Sequence, residues 1–167
     1  MIIGSAAAGL TGLTFVVISL AAEAQRVSLV GLRTFVPPTI VHFGAVLALS
    51  AHLTVPHHTA MSLCIGLAAA GVAGLAYIGA VTVAMRAVTA HYVPVQEDWI
   101  WNAIIPALAY LGLIAMAVAC WHELERGLYG VAAVCVLPLF TGIHNAWDVA
   151  VWNSIKKVNE TDPPGRK

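Results

Sequence analysis

The chain has 167 residues, of which 60% are hydrophobic and 10% are charged, and its formal net charge is zero. Soluble domains carry about 25% charged residues, so this composition excludes a sizeable water-soluble domain and indicates one small membrane domain. The absence of a basic stripe or nucleic-acid motif excludes a nucleic acid as an expected partner. The expected surrounding of most of the chain is the lipid bilayer, as in a multi-pass membrane protein.

Five apolar runs predict five transmembrane helices, so the expected fold class is an all-α membrane bundle. A span needs about 20 predominantly apolar residues. Runs of about that length occupy residues 2–22, 37–55, 60–84, 99–121 and 127–151. The first run lacks the charged start of a signal peptide, so we expect it to be retained as a helix.

The segments outside these runs are expected to lie outside the bilayer core. Residues 23–36 are too mixed to span and are predicted to form a cytosolic loop or an interfacial helix. Pro37 and Pro38 are then expected to open the second span, where prolines are tolerated. One five-helix domain would cover residues 1–155, and residues 156–167 would form a frayed cytosolic tail.

The basic residues predict the orientation of the bundle. Given five spans, one side holds Arg26, Arg33, Arg86, Lys156, Lys157, Arg166 and Lys167, whereas the other side holds only Arg126. Lysine and arginine favour the cytosolic side, so the N-terminus is predicted outside and the C-terminus inside. Four of the five tryptophans, Trp99, Trp101, Trp147 and Trp152, would then lie near the inner interface, where aromatic belts form.

Small residues recur at every fourth position in two of the predicted spans. They are Gly4, Ala8 and Gly12 in the first, and Gly66, Ala70 and Gly74 in the third. Such ridges let helix backbones approach each other closely. Packing within the chain is the preferred interpretation and a homodimer seam is the alternative, so a homo-oligomer or a partner membrane subunit stays open.

The segment from Thr141 to Asp148 carries the clearest functional signal in the sequence. His144 and Asp148 are four residues apart, so they share one face of a helix, and Thr141 and Asn145 extend the same stripe. Ionisable groups within a membrane span are costly to bury. Their presence there is by default a functional-site hypothesis.

The predicted orientation brings polar groups from several helices to the cytosolic third of the bundle. At 1.5 Å per residue, His42 would lie about 8 Å and His144 about 10 Å from the inner ends of their spans. The candidates for a shared inner site are His42, Tyr77, Asp98, Asn102, His144, Asn145 and Asp148. Each also has a structural alternative, as a helix cap or as a hydrogen-bonding link between helices.

A second group of polar residues gathers at the outer ends of the predicted helices. Its metal candidates are His57, His58, His122 and Glu123, and His52 and Glu125 lie nearby. Imidazole and carboxylate groups suit zinc or another divalent first-row metal, and histidines can also sense external pH. Adjacent histidines on a helix diverge and chelate poorly, so solvated turn residues are the preferred interpretation.

Three functional hypotheses follow from these patterns. The first is a site in the cytosolic half that binds or transfers a small ligand, a cofactor such as haem b or a quinone, a divalent metal or a proton. Haem b needs two axial histidines at one depth, and His42 with His144 is the pair that qualifies. A proton-coupled site would use His144 and Asp148 as relay groups.

The second hypothesis is a structural or assembly subunit of a membrane complex, in which the polar groups only join helices. The third is a membrane enzyme at the inner interface, with His144, Asp148 and Asn145 as base, orienting group and polar stabiliser. No nucleophile elbow, HExxH motif or phosphate-binding loop accompanies these three residues.

Overall fold

Helices make up nearly all of the chain that the structure describes. The structure is a computed structural model, and it describes residues 1–23, 29–87 and 95–161. In that part the elements are α1 (Ile2–Glu23), α2 (Leu29–Thr54), α3 (Ala60–Ala87), α4 (Gln96–His122) and α5 (Leu124–Thr161), with no strand. The predicted all-α class is therefore confirmed.

Three of these helices are long and apolar enough to cross a membrane. They are Ala60–Arg86 in α3, Gln96–His122 in α4 and Leu124–Asp148 in α5. Shorter apolar helical stretches cover Ile2–Val16 and Pro38–Leu53 in the described residues. The five-span count and the orientation stay predictions, because length and composition do not fix either one.

The start of α2 differs from the prediction. Pro37 and Pro38 were expected to open this helix, but α2 begins at Leu29 and runs through both prolines. Prolines inside a helix leave carbonyls one turn earlier without their helical N–H partner. Membrane helices tolerate such prolines where neighbouring groups or local adjustments satisfy the freed carbonyls. The predicted loop over 23–36 is thus helical from Leu29, and residues 24–28 lie outside the described part.

The helix α4 contains a wide turn that the sequence analysis did not predict. Residues Ile100–Ile104 adopt π-helical geometry between the α-helical segments Gln96–Trp99 and Ile105–His122. Pro106 lies two residues after the end of this turn, and it has no N–H to give to the carbonyl four residues earlier. Prolines and π turns both distort helices locally, and π turns occur often at functional sites. Here the turn carries Trp101 and Asn102.

The helices pack in the spatial order α1, α2, α5, α4, α3, so α5 lies between α2 and α4. The core between them is built from small and branched apolar side chains together with Phe43, Cys120 and Cys135. The predicted tail is helical as far as Thr161. Residues 162–167 lie outside the described part.

Glycines mark the closest helix approaches inside the bundle. A side chain on Gly74 of α3 would overlap the ring of Tyr110 in α4, and one on Gly142 of α5 would overlap Phe43 of α2. Gly66 of α3 faces His52 of α2. The ridge of the third span therefore packs within the chain, against two different helices. Gly12 of α1 has nothing within 4 Å, so that end of the first ridge is open.

Candidate functional site

The imidazole of His144 is held between two carboxylates at the predicted cytosolic end of the bundle. Its Nδ1 lies 3.1 Å from Oδ2 of Asp148, and its Nε2 lies 3.7 Å from Oε1 of Glu97. Neither contact has hydrogen-bond geometry. Each contact is an ion pair only when His144 is protonated. The side chains of Asp148 and Glu97 are largely exposed, at 58% and 70%, whereas the His144 side chain is 23% exposed. The cluster therefore places two exposed carboxylates beside a histidine that is mostly shielded from solvent.

The indole of Trp101 fixes the plane of the His144 ring. The two ring centroids are 3.8 Å apart and the planes differ by 11°, which is a stacked arrangement across the α4–α5 interface. The stacking orients the imidazole across the interface between the two helices. Trp101 reaches this position from the π turn of α4.

A pair of buried amides forms the next layer inward. Asn145 of α5 donates a hydrogen bond from Nδ2 to Oδ1 of Asn102 in α4, at 3.1 Å. Asn102 donates in turn from its own Nδ2 to the backbone carbonyl of Asp98, at 3.0 Å. Both amides are almost fully buried. The pair links α4 to α5 directly beneath the His144 cluster, and the carboxamide of Asn145 faces Asn102.

A third polar layer lies deeper and uses a different helix. His42 of α2 is completely buried, and its Nδ1 is 3.0 Å from the phenol oxygen of Tyr110 in α4. The ring of Tyr77 in α3 meets the His42 ring edge-on, with centroids 6.4 Å apart. Tyr110 is eight residues beyond Asn102, or about 12 Å along the helix axis.

The structure therefore divides the seven predicted inner-site residues into separate groups. Asn102, His144, Asn145 and Asp148 come together at the α4–α5 interface, and His42 with Tyr77 forms the deeper layer. No hydrogen bond or ring contact joins His42 to His144 among the described residues. The two histidines were matched by depth alone, and depth does not determine which neighbour a side chain faces. The geometry gives no support to haem b held by this pair.

Asp98 has a local role at the start of α4. Its Oδ2 accepts a hydrogen bond from the backbone N–H of Val95, at 3.0 Å, as in a helix-capping arrangement. This satisfies one polar group at the helix end, and a negative charge there also suits the helix dipole.

Three residues of the site were missed as candidates by the sequence reasoning. Trp101 was assigned to an aromatic belt, and neither Glu97 nor Tyr110 was singled out. Tyr110 did carry a signal, because a phenol in the middle of an apolar run needs a hydrogen-bond partner when it is buried. Nothing in the sequence indicated that Trp101 contacts His144, because the direction of the indole side chain depends on the π turn.

The predicted outer cluster does not form one group. His58 contacts the carbonyl of His52 through Nε2 at 2.6 Å and Oγ of Ser62 through Nδ1 at 2.8 Å, so it fastens the turn between α2 and α3. Glu123 pairs with Arg126, and His57 sits in the turn with a positive φ of 58°. Within the described residues, no three His, Cys, Asp or Glu side chains are placed to hold a metal ion.

Comparison with family models, with characterised proteins and with solved structures finds no match to this chain. The class of protein that the fold defines is a small helical bundle with at least three helices able to cross a membrane. Any more particular function has to be argued from the site itself.

Proposed function

We propose that this chain is an integral membrane protein of five spans, with its N-terminus outside and its C-terminus inside, and that it takes up and passes protons at its cytosolic end. The observation that carries this proposal is the His144 imidazole with a carboxylate oxygen at each ring nitrogen. An imidazole is the side chain whose ordinary titration falls near neutral pH. Among the ligands that a histidine and two carboxylates can serve, a proton requires the least additional machinery.

The arrangement supports proton exchange for three physical reasons. The exposed carboxylates of Glu97 and Asp148 collect protons from water and stand within a short step of His144. The Trp101 stack holds the ring so that both nitrogens keep facing their partners. The buried amide pair lies directly beneath this cluster, and amides can bind ordered water that extends a proton path.

The orientation is tested by reporter fusions. A fluorescent protein that folds only in the cytosol, fused after Lys167, should fluoresce in bacteria, because seven of the eight basic residues favour this side. The same reporter fused after His122 in a shortened chain should stay dark, and a phosphatase active only outside should give the reverse pattern. Phosphatase activity after Lys167 would place the His144 cluster on the outer side and contradict the proposed orientation.

Proton movement is tested in liposomes that contain the purified protein and a trapped pH-sensitive dye. Under an imposed membrane potential, the luminal pH should change faster in liposomes that contain the wild-type protein than in protein-free liposomes. His144→Gln should reduce the rate to the protein-free level, because glutamine cannot gain or lose a proton near neutral pH. Asp148→Asn should reduce it only in part, since Glu97 remains.

The matched control is His122→Gln, which removes an exposed histidine at the opposite end of α4 and should leave the rate unchanged. A wild-type rate equal to that of protein-free liposomes would contradict the proton-transfer proposal. So would an undiminished rate in His144→Gln.

A structural or assembly subunit is the second candidate, and one observation favours it. Asn102 with Asn145, and His42 with Tyr110, are hydrogen bonds between different helices, which is how membrane bundles hold themselves together. The enzyme hypothesis has less support, because the amide of Asn145 is engaged by Asn102 and not directed at His144.

A further inference from the structure

His42 carries a buried polar atom that no described residue satisfies. The side chain is completely buried, its Nδ1 is engaged by Tyr110, and its Nε2 has no hydrogen-bond partner. Leaving a buried polar atom unpaired costs about 1–3 kcal/mol. Native structures therefore nearly always pair such atoms, with protein, with water or with a ligand.

The His42 ring, which carries this atom, contacts two tyrosine rings. Tyr110 lies tilted against the His42 ring at 5.9 Å between centroids, and Tyr77 meets it edge-on at 6.4 Å. Tyr110 is buried, but Tyr77 is only half-buried on α3. The Tyr77 side chain is thus partly exposed, on a helix that is long and apolar enough to cross a membrane.

We propose that His42, Tyr77 and Tyr110 form a binding site for the head group of a lipid-soluble quinone, with a quinone oxygen hydrogen-bonded to Nε2 of His42. The ligand is lipid-soluble because the site lies in the apolar part of the bundle. It is ring-shaped because tyrosine rings pack well against a flat ring in stacked or edge-on contacts.

The hydrogen bond between His42 and Tyr110 explains why a quinone fits better than a ligand with a single type of polar group. When the Tyr110 hydroxyl donates to Nδ1, Nε2 carries the proton and donates to a quinone carbonyl. When Nδ1 carries the proton and donates to the Tyr110 oxygen, Nε2 has a free lone pair and accepts from a quinol hydroxyl. A neutral imidazole has one donor and one acceptor nitrogen, so its two tautomers serve the two oxidation states.

This inference is independent of proton movement at His144, because it rests on residues of a different layer. It is tested with the full-length protein in lipid nanodiscs and a radiolabelled 1,4-benzoquinone that carries a decyl chain. Binding to empty nanodiscs, measured in parallel, is subtracted. The wild-type protein should bind one quinone per chain in a saturable manner.

Three variants locate the site. His42→Leu should weaken binding at least about tenfold, because it removes the hydrogen bond to the ligand. His42→Gln keeps a polar end of similar reach and should weaken binding less. Tyr110→Phe should weaken it by a smaller factor, because Nδ1 loses the partner that selects the tautomer. The exposed His122→Leu is the control and should bind as the wild type does.

These measurements distinguish a quinone from a buried water molecule as the hydrogen-bond partner of Nε2. Absence of saturable binding by the wild-type protein would overturn the proposal and leave water as the partner. Equal binding by the wild type and by a folded His42→Leu protein, judged by circular dichroism, would overturn it as well. If His42→Leu does not fold, unchanged affinity in both His42→Gln and Tyr110→Phe has the same meaning.

Discussion

Replacing Gly74 with leucine is expected to destabilise the protein by about 3 kcal/mol, at the upper end of the usual cost of overpacking a core. Any side chain on Gly74 overlaps the ring of Tyr110, which is itself buried and has little room to move. A displaced Tyr110 also loses its hydrogen bond to His42. The free energy of unfolding, measured by titrating detergent micelles with sodium dodecyl sulfate, reports the effect.

Gly79→Leu is the matched control for this prediction. Gly79 lies on the same helix, and a side chain there would meet nothing within 4 Å. The same substitution should be neutral or slightly stabilising there, because leucine is a better helix former than glycine by roughly 0.5–1 kcal/mol. Equal effects at positions 74 and 79 would show that α3 does not pack on α4 as described.

Removing one amide of the buried pair is expected to cost about 1–3 kcal/mol, because the remaining amide is left without its partner. Asn102→Leu should cost more than Asn145→Leu. The Asn102 side chain makes two hydrogen bonds, with Asn145 and with the Asp98 carbonyl, whereas the Asn145 side chain bonds only to Asn102. The same unfolding titration measures both variants.

The double variant distinguishes a true pair from two separate packing positions. With both amides replaced by leucine, no unpaired amide remains, so the cost should be smaller than the sum of the two single costs. The expected coupling is about 0.6–1.7 kcal/mol, as for other hydrogen bonds between membrane helices. Asn102→Leu combined with Thr141→Val should be additive, because the Thr141 hydroxyl bonds to the Leu137 carbonyl of its own helix. Additive costs in the double asparagine variant would contradict the hydrogen bond.

The structure also changes which residues are expected to act together. His144 and Asp148 were predicted to share one face of a helix, and their side chains do meet. Their spacing of four residues decides this locally, whatever the rest of the chain does. His42 was placed with them because of its depth, and the structure assigns it instead to Tyr110 and Tyr77.

The amino-acid sequence by itself determined the helical class, the approximate extent of α1, α3 and α4, and the stripe from Thr141 to Asp148. These properties follow from apolar run length and from the 3.6-residue repeat, both of which are local. It also indicated that Asn102 and Asn145 are polar groups near the ends of apolar helices. It could not show that they bond to each other, since that depends on how α4 rotates against α5.

Only the tertiary structure decided the partners of the deeper groups. The π turn before Pro106 directs Trp101 onto His144, and the close approach at Gly74 brings Tyr110 past α3 to His42. Each of these contacts joins residues far apart in the chain. Their physical cause is the rotation and spacing of packed helices, which arises from the fit of many side chains together and is not encoded in any one segment.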